Sequence, residues 1–207
     1  MSPADIAERL RQDVLSGRIR PGTELIQAEL AHRFGVSRIP VRDALALLAA
    51  ERLVAVRPNR GARVVELAAA DIREVYHLRI LLECDLLEAA VAAAGPEDIR
   101  RIERARALSD IDALSEDWAE GDRQFHAALY APAGRPRQLA MVDALRRTCQ
   151  VQVSAYAGLP QKTPQWLAEH ASIAQAVRSG DAPLAAARLR SHLEHARDNL
   201  LSHMPAG

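Results

Sequence analysis

Cysteine, aromatic residues and long apolar runs are all scarce in this chain. Cysteine occurs only at Cys84 and Cys149 among 207 residues, and this spacing fits neither a disulfide framework nor a CxxC motif. Two isolated thiols are typical of a protein that keeps them reduced in the cytoplasm. No apolar run approaches the roughly 20 residues of a membrane helix, and the N-terminal segment lacks a signal-peptide core. The sequence therefore predicts a cytoplasmic protein with no membrane-spanning segment.

Composition and charge indicate a helical protein with a basic N-terminal part. Aromatic residues make up only 3% of the chain although hydrophobic residues reach 49%, because the helix formers alanine and leucine are abundant. The length suits two small domains. The net charge is zero, but residues 1–66 hold 11 arginines against 8 acidic residues, and the remainder has the opposite excess. This asymmetry predicts that the N-terminal part faces nucleic acid.

The first 67 residues follow the order of elements of a winged helix-turn-helix. Periodic apolar residues and turn residues predict three helices that end near residues 17, 34 and 51. Two β-prone pieces, 53–56 and 62–65, then flank a turn at 57–61. Helices followed by such a hairpin predict a DNA-binding domain over residues 1–67.

The third predicted helix carries the residues expected to contact DNA. Ser37 is placed as its N-cap, and Arg38 and Arg42 lie on the face opposite Val41 and Leu45. Because the second helix of the motif enters the major groove, either arginine could form a fork onto guanine O6 and N7. Ser37 and the helix N-terminus are suited to a phosphate. Two arginines on an exposed helix are also typical of an ordinary solvated face.

The predicted hairpin forms the wing. Gly61 at its tip would let the backbone approach the minor groove, and Arg60 and Arg63 lie beside it. These three residues complete the predicted DNA-binding set.

Residues 5–65 resemble the GntR family of regulators. The matching core pattern is PG…L…LA…GVSR-x-PVR-x-AL…L…G. Three positions depart from it: Ile39 stands where threonine is common, Asp43 where glutamate is usual, and Ala28 where some members carry a DNA-contacting arginine. The departures concern operator preference and leave the resemblance intact. It implies a regulator that binds a pseudo-palindromic double-stranded DNA operator as a homodimer.

The rest of the chain is predicted to be entirely helical. Helices are expected near residues 71–94, 97–114, 116–130, 136–157, 164–179 and 182–202. Residues 71–203 resemble the FCD-type C-terminal domain of the FadR subfamily, and the matching pieces include Asp122-Arg123-Gln124-Phe125-His126 and Glu169-His170. This resemblance implies an antiparallel helical bundle around a ligand cavity. The predicted architecture is thus mainly α, with a winged helix-turn-helix followed by this bundle.

The FCD resemblance also implies a divalent metal held by Asp122, His126, His170 and His192. The spacing supports it in part, because Asp122 and His126 are four residues apart and share a helical face. His192 lies about 60° from Leu189 around its helix and His195 about 120° from it, which favours His192 as the inward-facing residue. One carboxylate and three imidazoles suit zinc, with nickel and manganese as further candidates. The alternative is that these histidines are packed, hydrogen-bonded side chains.

Arg79 is the predicted effector contact. Arg79 and Glu83 both project into an apolar stripe, and a buried charge must be paired. Arg79 at a cavity wall could form a fork onto an effector carboxylate. Alternatively, the two residues form an i,i+4 ion pair that satisfies itself.

These features predict a transcription regulator that responds to a small carboxylate and is not an enzyme. Repression is the more common outcome in the family that the chain resembles, so we expect a repressor. Three alternatives stay open at this point. A metal-dependent hydrolase would use open positions on zinc, although the site offers no separate general base. A metalloregulator would sense the ion itself. A metal-free helical domain would serve only for dimerisation.

Overall fold

The computed structural model describes residues 1–57, 60–115, 118–156 and 159–204, and these form two compact units. One unit contains residues 1–68 and 146–156, and the other contains residues 69–145 and the described residues from 159 onward. The elements in chain order are α1 (Pro3–Leu15), β1 (Glu24–Ile26), α2 (Gln27–Phe34), α3 (Arg38–Ala50), β2 (Val54–Arg57), β3 (Gly61–Val64), α4 (Ala69–Ala93), α5 (Pro96–Asp112), α6 (Trp118–Tyr130), a 3-10 turn (Ala131–Ala133), α7 (Pro136–Tyr156), α8 (Leu159–Arg178) and α9 (Ala182–His203).

The N-terminal unit is a winged helix-turn-helix with a three-stranded sheet. The strands are antiparallel in the order β1-β3-β2, and Ala62 of β3 pairs with Leu25 on one side and Val56 on the other. The two strands of the hairpin were predicted, whereas β1 was not. With three residues between a turn and α2, β1 is too short to show an alternating pattern.

The core of this unit lies between α1, α3 and the sheet. Ile6 and Leu10 of α1 pack with Leu45 and Leu48 of α3, all almost fully buried. The second half of α7 joins the same core through buried Val151. Beside it, the Ser154 hydroxyl donates to the Leu15 carbonyl at 2.6 Å, and the Gln152 amide donates to the Val65 carbonyl at 2.9 Å. Part of the helical region therefore stabilises the winged helix.

The second unit is a helical bundle. α4 packs along α9, α5 along α6, and α8 along α9. α8 begins at Leu159, ahead of the predicted 164, so that Pro164 lies inside the helix. Two predicted boundaries, the helix start at 116 and the helix end at 157, lie outside the described residues. The mainly α architecture of a winged helix-turn-helix and a helical bundle is confirmed.

Neither cysteine of the chain forms a disulfide. Cys84 and Cys149 are both buried as thiols, and burial raises the pKa of Cys84 to about 11. That thiol therefore stays protonated at neutral pH. Among the described residues, no helix combines the length and apolarity that a membrane crossing requires.

Candidate metal centre and nucleic-acid interface

One aspartate and three histidines converge in the helical unit. Asp122 and His126 come from α6, His170 from α8 and His192 from α9, and one ligand atom of each lies within 4.8 Å of the others. Asp122 Oδ1 is 3.5 Å from the Nε2 atoms of both His126 and His170. All three histidines are buried, and the aspartate side chain is 18% exposed. The four residues that the FCD resemblance implied are therefore neighbours in space.

Close packing of α6 holds this cluster together. Gly121 lies against α5, where a Cβ atom would stand 3.1 Å from the backbone of Ser109, so the missing side chain permits the close approach. Phe125, fully buried, packs its ring 4.5 Å from the imidazole of His170. The imidazole of His170 in turn lies 4.9 Å from that of His192, measured between centroids. The histidines thus lie in a closely packed setting.

The outer ring nitrogens of two histidines have polar partners. His192 Nδ1 lies 2.8 Å from Glu169 Oε2, and His126 Nδ1 lies 3.1 Å from the Tyr130 hydroxyl. That hydroxyl donates to Glu83 Oε2 at 2.6 Å. Sequence reasoning did not assign Glu169 or Tyr130, although Glu169 precedes His170 in the matched motif. His195, half exposed, also lies against Glu169, at 2.7 Å.

Glu169 is held as a carboxylate. Burial would raise the pKa of Glu169, but hydrogen bonds from His192, Gln165 and His195 outweigh burial and hold that pKa below its usual value. An ionised carboxylate accepts hydrogen bonds and donates none. Its two oxygens therefore act as acceptors for the histidines around it.

The donor set fits a divalent cation. Three imidazole nitrogens and a carboxylate oxygen are ligands that zinc, nickel and manganese all accept. In a tetrahedral site with bonds of about 2.1 Å, donor atoms stand about 3.4 Å apart. The two 3.5 Å spacings from Asp122 match that value, whereas the four donor atoms together spread to 4.8 Å, so the side chains would have to draw together around an ion.

A small cavity lies beside the cluster. A cavity of about 10 Å³ touches Asp122 and His170 and is bordered by Trp118 and Trp166, whose ring centroids are 5.5 Å apart. This space holds about one water-sized group. The cavity is therefore smaller than a metabolite.

Arg79 lies in the interior of the same bundle. It is 6% exposed, its Nε donates to Glu83 Oε1 at 2.7 Å, and its guanidinium stacks 4.8 Å above the ring of Tyr76. The i,i+4 pair considered from the sequence is thus formed. Glu83 is fully buried and also receives the Tyr130 hydroxyl, so Arg79 is connected to His126 by successive hydrogen bonds.

The predicted recognition helix presents its arginines outward. Ser37 is the N-cap of α3, and within the described chain its side chain makes no capping hydrogen bond. Arg38 and Arg42 are exposed, whereas Val41 and Leu45 are buried on the opposite face. Arg42 Nη2 lies 2.9 Å from Asp43, an exposed contact that DNA could replace.

The wing brings further arginines to the same side of the N-terminal unit. Arg38, Arg57 and Arg60 border one groove of about 250 Å³, which Glu24, 3.2 Å from Arg57, also lines. The excess of arginines gives the groove a positive charge, which attracts phosphate. Arg57 was missed from the sequence, because only the folded hairpin places it beside Arg38. Arg63 instead contacts Glu66 at 3.1 Å.

Gly61 begins the largely buried strand β3 and, unlike exposed Arg60 before it, is itself buried. Its φ is +140°, and an added Cβ would lie 2.0 Å from the Leu25 carbonyl oxygen of β1. The close pairing of β1 and β3 therefore requires glycine here, whatever part the residue takes in DNA binding.

A winged helix with outward arginines, joined to a helical bundle with a buried Asp–His cluster, defines a two-part transcription regulator. Residues 3–64 match the family model described as bacterial regulatory proteins, gntR family, and residues 74–195 match that of the FCD domain. The chain belongs to the GntR family and carries an FCD domain. It is a transcription regulator and not an enzyme, which removes the hydrolase alternative.

Similar proteins extend over nearly the whole chain. An HTH-type transcriptional regulator in an unstable DNA locus of Streptomyces ambofaciens is 32% identical over 95% of this chain and 84% of its own. The HTH-type transcriptional repressor RspR of Escherichia coli is 26% identical, covering 92% and 85%. The crystal structure of a putative GntR regulator from Rhodococcus has a TM-score of 0.83 at 27% identity, covering 98% of this chain and 99% of that one.

Proposed function

We propose that this protein is a cytoplasmic, homodimeric repressor whose operator binding is controlled by a small carboxylate at a metal centre. The observation that carries the proposal is the buried cluster of Asp122, His126, His170 and His192. The cluster would hold one zinc, nickel or manganese ion and leave coordination positions for a ligand oxygen. The name of RspR supports the choice of repressor.

The division of labour follows the two parts of the chain. Residues 1–67 would bind DNA through Ser37, Arg38 and Arg42 of the helix-turn-helix and Arg60, Gly61 and Arg63 of the wing. Residues 71–203 would bind metal and effector and form the dimer. A pseudo-palindromic operator would match the two-fold symmetry of such a dimer. The effector would act by binding one arrangement of the two DNA-binding domains more tightly than another.

Replacing Arg42 with alanine tests the DNA-binding half. If Arg42 forms a fork onto a guanine, Arg42→Ala should cost about 1–3 kcal/mol of specific binding, or about 5- to 150-fold in affinity. The measurement is fluorescence anisotropy at fixed salt, with a duplex that the wild-type protein has selected from a randomised pool. Arg100→Ala, at an exposed arginine of α5, is the matched control. Equal affinities for wild type and Arg42→Ala would remove this residue from the interface.

Replacing Arg79 with lysine tests the effector contact. Lysine keeps a positive charge beside buried Glu83 but cannot make the two-pronged contact with a carboxylate. Arg79→Lys should weaken carboxylate binding about 10- to 100-fold and leave operator affinity of the ligand-free protein unchanged. Calorimetry of the metal-loaded protein with a panel of small mono- and dicarboxylates measures this. Full carboxylate affinity in the variant would make Arg79 a structural partner of Glu83 only.

A metalloregulator that senses the ion itself is the second candidate. The small cavity beside Asp122 and His170, with room for about one water-sized group, favours it. The two functions differ in one measurement. In a metalloregulator, the operator affinity should change with metal occupancy alone. In the proposed repressor, the operator affinity should change only when a carboxylate is also bound.

A further inference from the structure

We propose that Tyr130 and Glu169 are positioning residues that decide which ring nitrogen of His126 and His192 faces the metal. This inference rests on the proposed metal centre. It concerns residues outside the four ligands, and it follows from the direction in which each hydrogen bond must run.

Glu83 determines the direction of the hydrogen bond between Tyr130 and His126. Glu83 is the fully buried ion-pair partner of Arg79, so its carboxylate accepts, and the Tyr130 hydroxyl at 2.6 Å must donate to it. A hydroxyl has one hydrogen. Its oxygen can therefore only accept from His126 Nδ1, 3.1 Å away. In a neutral imidazole the lone pair is then on Nε2, the atom that lies 3.5 Å from Asp122.

Two separate contacts determine which ring nitrogen of His192 carries the hydrogen. Glu169 accepts, so His192 Nδ1, 2.8 Å from Oε2, must carry the hydrogen. Independently, the indole N–H of Trp166 can only donate, and it points at His192 Nε2 from 3.3 Å. Both contacts assign the lone pair of His192 to Nε2. The two histidines thus share one tautomer, although their partners come from different helices.

The shared tautomer has a consequence for metal binding. A histidine ligates through the nitrogen that carries the lone pair, and the partner of the other nitrogen orients the ring. Loss of such an outer partner typically costs about 10- to 100-fold in metal affinity. Arg79 neutralises Glu83 and thereby supports the contact between Tyr130 and His126. The predicted effector residue is accordingly joined to a metal ligand through Glu83 and Tyr130.

The first test removes one hydroxyl. Tyr130→Phe should lower zinc affinity about 10- to 100-fold in a competition titration with a chromophoric chelator. Tyr76→Phe, at another buried tyrosine of the bundle, is the matched control and should retain wild-type affinity. Equal zinc affinity for Tyr130→Phe and wild type, with both proteins folded by circular dichroism, would overturn the role of Tyr130.

The second test addresses Glu169, whose side chain is partly exposed and whose loss should be tolerated by the fold. Glu169→Ala should lower zinc affinity by a similar factor, and Glu169→Gln should restore most of it, because an amide oxygen still accepts from Nδ1. His195→Ala removes another partner of Glu169 and should leave zinc affinity unchanged. If His195→Ala weakens zinc binding as much as Glu169→Ala, Glu169 does not act through His192.

A spectroscopic readout separates this inference from the proposed function. Nitrogen-15 NMR of the metal-free, histidine-labelled protein should show His126 and His192 protonated at Nδ1, and His126 should lose that pattern in Tyr130→Phe. A hydrogen on Nε2 of either residue would overturn the inference. Should the wild-type protein bind no zinc, nickel or manganese, the proposed function fails, and the NMR pattern still decides the tautomers.

Discussion

Replacing His170 with alanine is expected to weaken metal binding more than a hundredfold. His170 contributes the α8 ligand of the cluster, and its removal leaves three donors on two helices. The loss should exceed the roughly 10- to 100-fold typical of a change outside the ligands. Competition titrations with zinc, nickel and manganese against a chromophoric chelator measure the effect directly.

His77→Ala is the matched control for this variant, because His77 is an exposed histidine of α4. It should bind metal as the wild-type protein does. Unchanged metal affinity in His170→Ala would mean that the cluster consists of packed side chains, and the helical unit would then serve for dimerisation without a metal. The unfolding temperature of both metal-free variants shows whether packing alone has changed.

Replacing Gly61 with alanine is expected to destabilise the N-terminal unit by about 3 kcal/mol or more. A φ of +140° is strained for any residue with a side chain, and the new Cβ would meet the Leu25 carbonyl oxygen at 2.0 Å. For a unit of this size, such a loss lowers the unfolding temperature by roughly 10 °C or more. Differential scanning calorimetry of the full chain without DNA measures it.

Gly35→Ala measures the stability cost of a positive φ in the absence of a steric clash. Gly35 also has a positive φ, +65°, but an added Cβ there would meet nothing within 4 Å. Its replacement should cost only about 1–2 kcal/mol. If Gly61→Ala keeps its stability and loses only DNA affinity, Gly61 serves to admit the DNA backbone, as the sequence suggested, and β1–β3 pairing does not require it.

Elements with strong local signals could be predicted from the sequence. The end of α2 at Phe34 is marked by Gly35 in the left-handed conformation, and the start of α3 is marked by Ser37 as N-cap. Both features are local, so they are visible without a structure. β1 has three residues and depends on its pairing with β3, and for this reason it escaped prediction.

The four residues of the Asp–His cluster could be located by resemblance, but the residues that contact them could not. Asp122 and His126 reveal their common face by spacing alone. Tyr130 and Glu83 are 47 residues apart, and their contact exists only once α4 and α6 are packed in the same bundle. The same applies to the second half of α7, whose residue Val151 completes the core of the N-terminal unit.

The metal content of the purified protein tests the central claim most directly. Elemental mass spectrometry should be applied to the full chain, purified without a histidine tag or chelator, and to its His126→Ala and His170→Ala variants. The proposed metal centre predicts about one divalent ion per wild-type chain and a large loss in both variants. A value of zero that persists after incubation with zinc, nickel and manganese would contradict it.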